Sequence, residues 1–466
     1  MKRYLPAILI LLVSSCAHYE ARPIDPGQAA ESFDARSFDD PGLAEYLAAN
    51  GASKPGADES WDLSRLTLAA FYFSPEMDLA RARVKTAEAG RVSAGLRPDP
   101  AVSLAPGYDT TTPPPWIWTV DLAIPVTTAS KRGYRMAEAE RLTEAARWDL
   151  AGTAWRVRSR LRQALVEYSA AAEILRIRQD LQRLQTDVVR RTEERVASGE
   201  EAASRLAEVR LDQQSGNLAL AEAEQEVART QAALAAAIGV PRKVLAGVPI
   251  RFEELGRISG DLSPAQVRRA AAVNRTDVRS ALSVHAASQS ALQLEIAKQY
   301  PDLELGPGYE LDQTDDKWTL GLSFTLPLLN RNRGGIAEAR ARREEAAAAF
   351  NTVQAAALTE VDRTLSTYES ARREGTAADS LAASLERIRR AALEREEAGD
   401  LSPLETALAR IRYDEGLLAR ISAVMKVQQA LGDLEAAIQQ PLTGPGITWP
   451  DAAGTLIPPK KDPGRS

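Results

Sequence analysis

Few side chains in this sequence could carry metal or covalent chemistry. The 466 residues include two histidines, His18 and His285, one cysteine and four methionines. Metal centres gather several His, Cys, Asp or Glu side chains, and no Cys/His pair at ligand spacing is present. No HExxH, GxSxG or glycine-rich phosphate loop occurs either. The sequence therefore predicts a protein that is not an enzyme and needs no cofactor or metal.

Cys16 is the exception, because its surroundings predict a modification. It follows Lys2 and Arg3, an apolar stretch over 5–13, and two serines. This is the pattern of a secretory signal peptide over residues 1–15, too short to remain as a membrane-spanning helix. The end of the segment resembles the bacterial lipobox, in which the cysteine is acylated and becomes the first mature residue. Ala17, where Asp would retain a lipoprotein in the inner membrane, favours the outer membrane. A small buried thiol is the alternative.

The composition further narrows the class of protein and of partner. The formal net charge is -6, from 58 basic and 64 acidic residues, so nothing indicates nucleic acid as a partner. Hydrophobic residues make up 44% and charged residues 26%, as in folded chains. Aromatic residues reach only 5% while alanine is abundant, which favours long, closely packed helices.

One sequence pattern occurs twice, about 200 residues apart. Trp116 recurs as Trp318 and Gly199 recurs as Gly399. The longest match pairs Pro100, Val102, Leu104, Pro106, Gly107 and Tyr108 with Pro301, Leu303, Leu305, Pro307, Gly308 and Tyr309. We therefore expect two tandem units with the same order of elements.

Each unit is predicted to contain helices around a strand pair. In the first, we expect a helix over 65–97, strands at about 101–109 and 116–124, a long helix from 133 to about 198, and a return helix to 239. A helix of about 65 residues extends for about 97 Å, longer than a globular core. The return helix and the next one, about 264–299, together match that length. Pairs of shorter helices are therefore expected to stack end to end beside the long ones.

These elements divide the chain into six parts. We expect a signal peptide at 1–15, a lipidated extended segment at 16–60 and a first repeat at 61–240. An equatorial connector at 241–263, a second repeat at 264–440 and a flexible tail at 441–466 follow.

The strand pairs alternate between apolar and small polar side chains. In the second pair, apolar residues at 318, 320, 322 and 324 alternate with Thr319, Gly321 and Ser323. An apolar face with tryptophan at one end is typical of a transmembrane barrel strand, although a hairpin packed on helices has the same period. Four strands cannot close a barrel, so several copies would share one. The predicted lipid-facing residues are Trp116, Trp118, Trp318, Leu320, Leu322 and Phe324.

The order of helix, hairpin, long helix, glycine turn and return helix resembles the TolC family of outer-membrane efflux proteins, in its lipidated heavy-metal and multidrug branch. The stretch over 301–328 is similar to the most recognisable part of that family. The resemblance covers about residues 60–440. It implies a homotrimer with a shared 12-stranded β-barrel, continued by an α-helical coiled-coil tunnel across the periplasm. It also implies an inner-membrane pump and a periplasmic adaptor (membrane fusion) protein as partners.

The resemblance also assigns roles to residues at the periplasmic tip. The turns at Gly199 and Gly399 would dock the adaptor. Six residues beyond each glycine the family often has an acidic residue at the entrance, and Glu405 fits this pattern whereas Arg205 departs from it. An ion pair between Arg205 and Glu405 is therefore a candidate gate, and two solvated helix faces are the alternative.

Two functions remain open at this point. The first is a passive exit duct in the bacterial outer membrane, anchored by lipid and extending into the periplasm. The second is a lipid-anchored periplasmic coiled-coil scaffold or tether without a channel, which explains the helices but not the alternating strands. The sequence does not identify the exported substrate.

Overall fold

A computed structural model describes residues 19–56, 60–111, 113–251 and 263–442. The predicted signal peptide, Cys16, His18 and residues 443–466 of the predicted tail lie outside the described residues, as does most of the predicted connector. Two short helices precede the first repeat: α1 (Pro26–Asp34) and α2 (Pro41–Ala49). Residues 16–60, predicted to be extended, are therefore partly helical where they are described.

The first repeat begins with two helices and a strand pair. Its elements are α3 (Leu63–Phe73), α4 (Pro75–Gly95), β1 (Ala101–Tyr108), β2 (Trp116–Val126), α5 (Lys131–Ala197) and α6 (Ala203–Ile238). The short helices pack along α5, with α4 beside its first half and α6 beside its second half. At 67 residues, α5 extends for about 100 Å.

The second repeat has the same order of elements. They are α7 (Pro264–Asn274), α8 (Thr276–Ala297), β3 (Leu303–Asp312), β4 (Asp315–Phe324), α9 (Arg333–Glu397) and α10 (Pro403–Ile438). Both α8 and α10 pack against α9 and also against α5, so the second repeat joins the first along the length of α5. Corresponding elements lie about 200 residues apart, which confirms the predicted repetition.

No helix in these described segments combines the length and the apolar composition needed to cross a membrane.

Two predicted helices are each broken into two. Ser74 is extended between α3 and α4, because Pro75 disfavours helical geometry in the residue before it. Arg275 is extended between α7 and α8 without a proline. Its guanidinium donates to the Ala437 carbonyl at 2.8 Å and pairs with Glu360 at 2.6 Å. The predictions of single helices over 65–97 and 264–299 are therefore wrong at these two points.

The end-to-end stacking of short helices also differs from the prediction. The return helix α6 ends at Gly239, whose φ of 89° suits glycine, and a Cβ there would lie 3.1 Å from the Phe73 carbonyl oxygen. Arg36 from the N-terminal segment donates to the carbonyls of Phe73 and Gly239, at 2.9 and 2.6 Å. The return helix thus meets the break between α3 and α4, and not the helix that follows it in sequence.

The largest apolar core lies around this junction. It gathers side chains from the N-terminal segment, α3, the first half of α5 and the end of α6. Fully buried members include Leu43, Leu47, Leu66, Leu161, Leu165, Leu234 and Ile238. Since the N-terminal segment contributes to this core, it is part of the folded body and not only a tether.

A buried charge cluster joins α5 to α10. Glu435 is 0% exposed, and its Oε2 accepts from Arg158 at 3.0 Å and lies 3.4 Å from Nε of Arg162. Its other oxygen accepts from the backbone N–H of Leu442 at 2.9 Å. Arg162 also donates to the backbone and side-chain oxygens of Gln428. Burial lowers the pKa of Arg162, although Glu435 opposes that shift. One carboxylate thus balances two buried guanidinium groups across the repeats.

We expect Glu435→Gln to destabilise the chain strongly, by about 3–5 kcal/mol, because two buried cations lose their shared counter-charge. Chemical denaturation in detergent would measure the loss. The matched control is Glu374→Gln, whose pair with Lys426 is about half exposed and should contribute no more than about 1 kcal/mol. Equal losses in the two variants would contradict a structural role for the buried cluster.

Candidate functional site

The four strands form one antiparallel sheet in the order β1-β2-β3-β4. The register sets Tyr108 opposite Trp116, Val120 opposite Tyr309, and Tyr309 opposite Trp318. Paired residues in a sheet point to the same side, so these aromatic residues share one face. The ring centroids of Tyr108 and Trp116 lie 5.2 Å apart, and those of Tyr309 and Trp318 lie 4.9 Å apart. The two predicted hairpins are therefore halves of one continuous surface.

This surface is apolar and exposed across all four strands. Trp318 is 79% exposed and Leu320 is 78% exposed. The six residues predicted to face lipid all lie on this side, each at least partly exposed: Trp116, Trp118, Trp318, Leu320, Leu322 and Phe324. Contiguous apolar surface of this kind is unusual on a soluble monomer and marks a site of contact with lipid or protein.

The opposite face of the sheet is polar. Thr119 lies opposite Glu310, and Asp121 lies opposite Gly308. Lys317 pairs with Glu310 at 3.2 Å and with Asp312 at 2.5 Å. The acidic residues on this face outnumber the single lysine, and they are Asp121, Glu304, Glu310, Asp312 and Asp315. The polar face thus carries excess negative charge.

The sheet has two open edges. Within the described part of the chain, β1 pairs only with β2 and β4 pairs only with β3. Each outer strand therefore presents unpaired backbone N–H and C=O groups, which template pairing with another strand.

Two glycine turns lie at the far end of the long helices. Gly199 has φ of 77° and Gly399 has φ of 79°, and each follows the last turn of a long helix. A Cβ at either position would meet nothing within 4 Å, so the left-handed backbone and not the available space favours glycine. The structure thus places turns at the two positions that the sequence predicted.

Arg205 and Glu405 lie just beyond these turns, and each has a partner on its own side of the tip. Arg205 donates to Glu208 at 2.8 Å. The Glu405 carboxylate accepts from the backbone N–H and the hydroxyl of Ser402, which together lower the pKa of Glu405. No ion pair between Arg205 and Glu405 occurs within the described chain. The alternative of two solvated helix faces fits the single chain.

The contacts of Glu405 are those of a helix capping box. Ser402 also accepts from the backbone N–H of Glu405 at 3.3 Å, which completes the reciprocal pair. The first repeat has Ala202 at the equivalent position and no such cap. Sequence reasoning missed this feature, although the Ser-Pro-Leu-Glu order contains its signature.

A small apolar cluster joins the two tips, and we call it the tip cluster. It buries Val188 and Val189 of α5, Val209 of α6 and Ala407 of α10. Leu206, Leu404 and Ile411 pack around it. Side chains from the helix pair α5–α6 and from α10 therefore hold the tips of the two repeats together.

Comparison with known proteins finds a family match within the second repeat. Residues 267–439 match the sequence profile of the family described as "Outer membrane efflux protein". Among curated proteins, the chain is 26% identical over 230 residues to the cobalt-zinc-cadmium resistance protein CzcC of Cupriavidus metallidurans. That match covers 47% of this chain and 52% of CzcC, so the chain spans about half the length of the curated relative it matches.

Solved structures share the fold over most of the chain. The outer membrane protein VceC of Vibrio cholerae is 19% identical, with a TM-score of 0.63, covering 81% of this chain and 95% of VceC. The CmeC outer membrane channel of Campylobacter jejuni is 16% identical, with a TM-score of 0.63, covering 91% of this chain and 93% of CmeC. These likenesses show the mainly helical fold with four antiparallel strands per chain, as predicted. The sequence likeness to the outer membrane efflux protein family thus lies in the second repeat, and the likeness of fold extends over both repeats.

Proposed function

We propose that this chain forms the outer-membrane exit duct of a tripartite efflux system. It would receive substrate from an inner-membrane pump and a periplasmic adaptor and conduct it passively outward. The family is one of transporters and not of enzymes, in agreement with the sparse chemistry of the sequence. The observation that carries the proposal is the exposed apolar sheet face with two open edges, beside helices about 100 Å long.

The open edges support a closed ring of copies. Neighbouring strands alternate in direction, and the described part of each chain has four of them, so β4 of one copy would run antiparallel to β1 of the next. A head-to-tail contact of this kind closes into a ring when the rotation permits. Three copies would supply 12 strands, an even number within the range of single-sheet outer-membrane barrels. The apolar face would then contact lipid, and the acidic face would line the lumen.

The length of the N-terminal segment supports a lipid anchor at Cys16. Arg36 is fixed at the junction of Phe73 and Gly239, and α4 spans about 30 Å from there towards the strands. Arg36 is twenty positions after Cys16 in the sequence, and nine of the residues between them are in α1. At about 1.5 Å per helical residue and about 3.4 Å per extended residue, the segment reaches about 50 Å. An acyl group on Cys16 would therefore reach the membrane level at which the strands begin.

The acidic sheet face supports cations as cargo. The name of CzcC associates that relative with resistance to cobalt, zinc and cadmium. A lumen with excess carboxylates would concentrate cations over anions. The competing proposal, a lipid-anchored coiled-coil scaffold without a channel, leaves the apolar face and the open edges without a partner.

At the tip, we propose that the turns at Gly199 and Gly399 dock the adaptor. A gate formed by Arg205 and Glu405 would need contacts between neighbouring copies, since each residue has a local partner within the chain.

The duct predicts that charge on the apolar sheet face blocks membrane assembly. We expect Leu322→Arg or Phe324→Arg to reduce trimer yield in outer-membrane fractions, because a lipid-facing arginine near the midplane costs about 2–4 kcal/mol. Ser323→Arg, on the opposite face, is the matched control. Native mass measurement in detergent and conductance in planar bilayers test the channel itself. A monomer without conductance would favour the scaffold, and a worse defect in Ser323→Arg would invert the assignment of faces.

The lipid anchor predicts acylation at one residue. We expect Cys16→Ser to abolish incorporation of radioactive palmitate while trimers still form, because the strands supply their own membrane affinity. Circular dichroism would check that the fold is retained. Equal labelling of the variant and the unmodified sequence would exclude Cys16 as the anchor.

The gate predicts that charge at position 405, and not helix capping, sets ion selectivity. Glu405→Gln keeps a side chain suited to the capping box, whereas Glu405→Ala removes both the cap and the charge. We expect both to lower cation selectivity in single-channel recordings, and only the alanine variant to fray the start of α10. Arg205→Glu should raise the open fraction. Unchanged selectivity and conductance in all three variants would place these residues outside the gate.

A further inference from the structure

The loop between β4 and α9 exposes apolar side chains beyond the end of the strand. Leu326 continues the spacing of Leu322 and Phe324, which lie on the apolar sheet face. Further along the loop, Leu328 is 66% exposed and Leu329 is 100% exposed. The apolar surface of the sheet therefore extends past the end of β4.

The extended surface matches the height of the apolar band of a membrane. Trp318 and Leu328 are ten residues apart, or about 34 Å along an extended strand. A strand tilted by about 40° covers about 26 Å of the membrane normal, and the apolar band of outer-membrane barrels is about 25 Å tall. With Trp318 at the outer boundary of this band, Leu328 and Leu329 would lie at its periplasmic boundary.

Two arginines follow the leucines directly. Arg331 and Arg333 are exposed, and neither side chain makes an ion pair or a hydrogen bond within the described part of the chain. No acidic residue occurs between Asp316 and Glu338. This end of the apolar surface thus carries positive charge at the level of lipid phosphates, and arginine binds phosphate oxygens through parallel hydrogen bonds.

Contacts within the loop and with α8 fix its backbone. Asn332 donates to the carbonyl and to the carboxylate of Glu295, both at 2.8 Å. The N–H of Leu328 donates to the carbonyl of Leu326 at 2.9 Å, which closes a tight turn around Pro327. A backbone that is already fixed lowers the entropic cost of binding a ligand.

The matching loop of the first repeat has a similar backbone but different side chains. Positive φ occurs at Ala129 in that loop, with a value of 50°, and at Arg331 in the second, with a value of 47°. Thr127 stands where the second repeat has Leu329. The loop conformation therefore requires neither the leucine nor the arginine.

The first loop also shows which positions stay exposed beside a neighbouring repeat. Lys131, the counterpart of Arg333, is buried and pairs with Asp302 of the second repeat at 2.8 Å. Ala129, the counterpart of Arg331, remains exposed. If neighbouring copies repeat this arrangement, the next copy would cover Arg333 and leave Arg331 accessible.

We propose that Leu328, Leu329 and Arg331 form a binding site for an anionic phospholipid of the periplasmic leaflet. The two leucines contact the acyl chains, and the arginine binds the phosphate. The site rests on the proposed duct, because only there do the strands cross the outer membrane. A ring of three copies would hold three such sites.

Native mass spectrometry of the full chain in detergent counts the bound lipid. Phosphatidylglycerol would be titrated into the protein, with phosphatidylcholine as the zwitterionic comparison. We expect phosphatidylglycerol to bind more tightly, and Arg331→Gln to weaken its binding about fivefold. Leu329→Thr, which introduces the residue of the first loop, should also weaken it. Ala129→Arg should add a site in the first repeat.

The control is Arg387→Gln, the same change of charge about 80 Å further along α9, which should leave lipid binding unchanged. Equal binding of phosphatidylglycerol to Arg331→Gln and to the unmodified chain would overturn the site. Displacement of the lipid by an equal concentration of glycerol phosphate would also overturn it, because a headgroup without acyl chains would then suffice. Loss of trimers in Arg331→Gln, with an unchanged lipid count on those that form, would assign the loop to a neighbouring copy instead.

The same samples separate the lipid site from the duct. Conducting trimers that hold no lipid dependent on Arg331 would retain the duct and overturn the site. A monomer that still binds phosphatidylglycerol through Arg331 would support the site and contradict the duct.

Discussion

The arrangement of the two repeats depends on one buried carboxylate. Glu435 accepts from Arg158 and approaches Arg162, and this contact fixes the C-terminal end of α10 against the middle of α5. Gly432 gives the Arg162 guanidinium room to pass, since a Cβ there would lie 2.5 Å from Nη1. Because helices are stiff, an axial shift at this point would be transmitted along the whole length of α10. The contact at Glu435 and the tip cluster thus hold α10 against α5 at both ends of α10.

The parts of the fold that repeat were predictable from sequence. The 200-residue spacing, the alternation around Trp318 and the turn at Gly399 are local patterns, and each appears where the pattern placed it. The helix break at Ser74 was also predictable from the sequence, because Pro75 follows it directly. The break at Arg275 was not, because its cause is a set of tertiary contacts with Glu360 and Ala437. Buried charge pairs such as that of Glu435 with Arg158 likewise depend on which helices meet, and periodicity alone does not specify this.

The repeats have diverged at matched positions. Gly216 and Gly416 each make room for a side chain of the preceding long helix, which is Gln185 in the first repeat and Leu385 in the second. The amide oxygen of Gln185 is buried without a hydrogen-bond partner, whereas Leu385 fills the space beside Gly416 with apolar atoms. The second repeat also has the capping box that the first one lacks. By both measures the helix pair α9–α10 of the second repeat is more stable than the pair α5–α6 of the first repeat.

The open edges of the sheet also bear on how the protein is made. A newly folded single chain exposes the apolar face together with the unpaired edges of β1 and β4. Such a surface pairs with any available strand, so aggregation competes with correct assembly. Assembly of the proposed duct requires collisions between chains, and its yield would therefore depend on their concentration at the membrane. For such an assembly, the rate at which chains arrive at the membrane, and not only the stability of the individual chain, determines how much assembled protein a cell obtains.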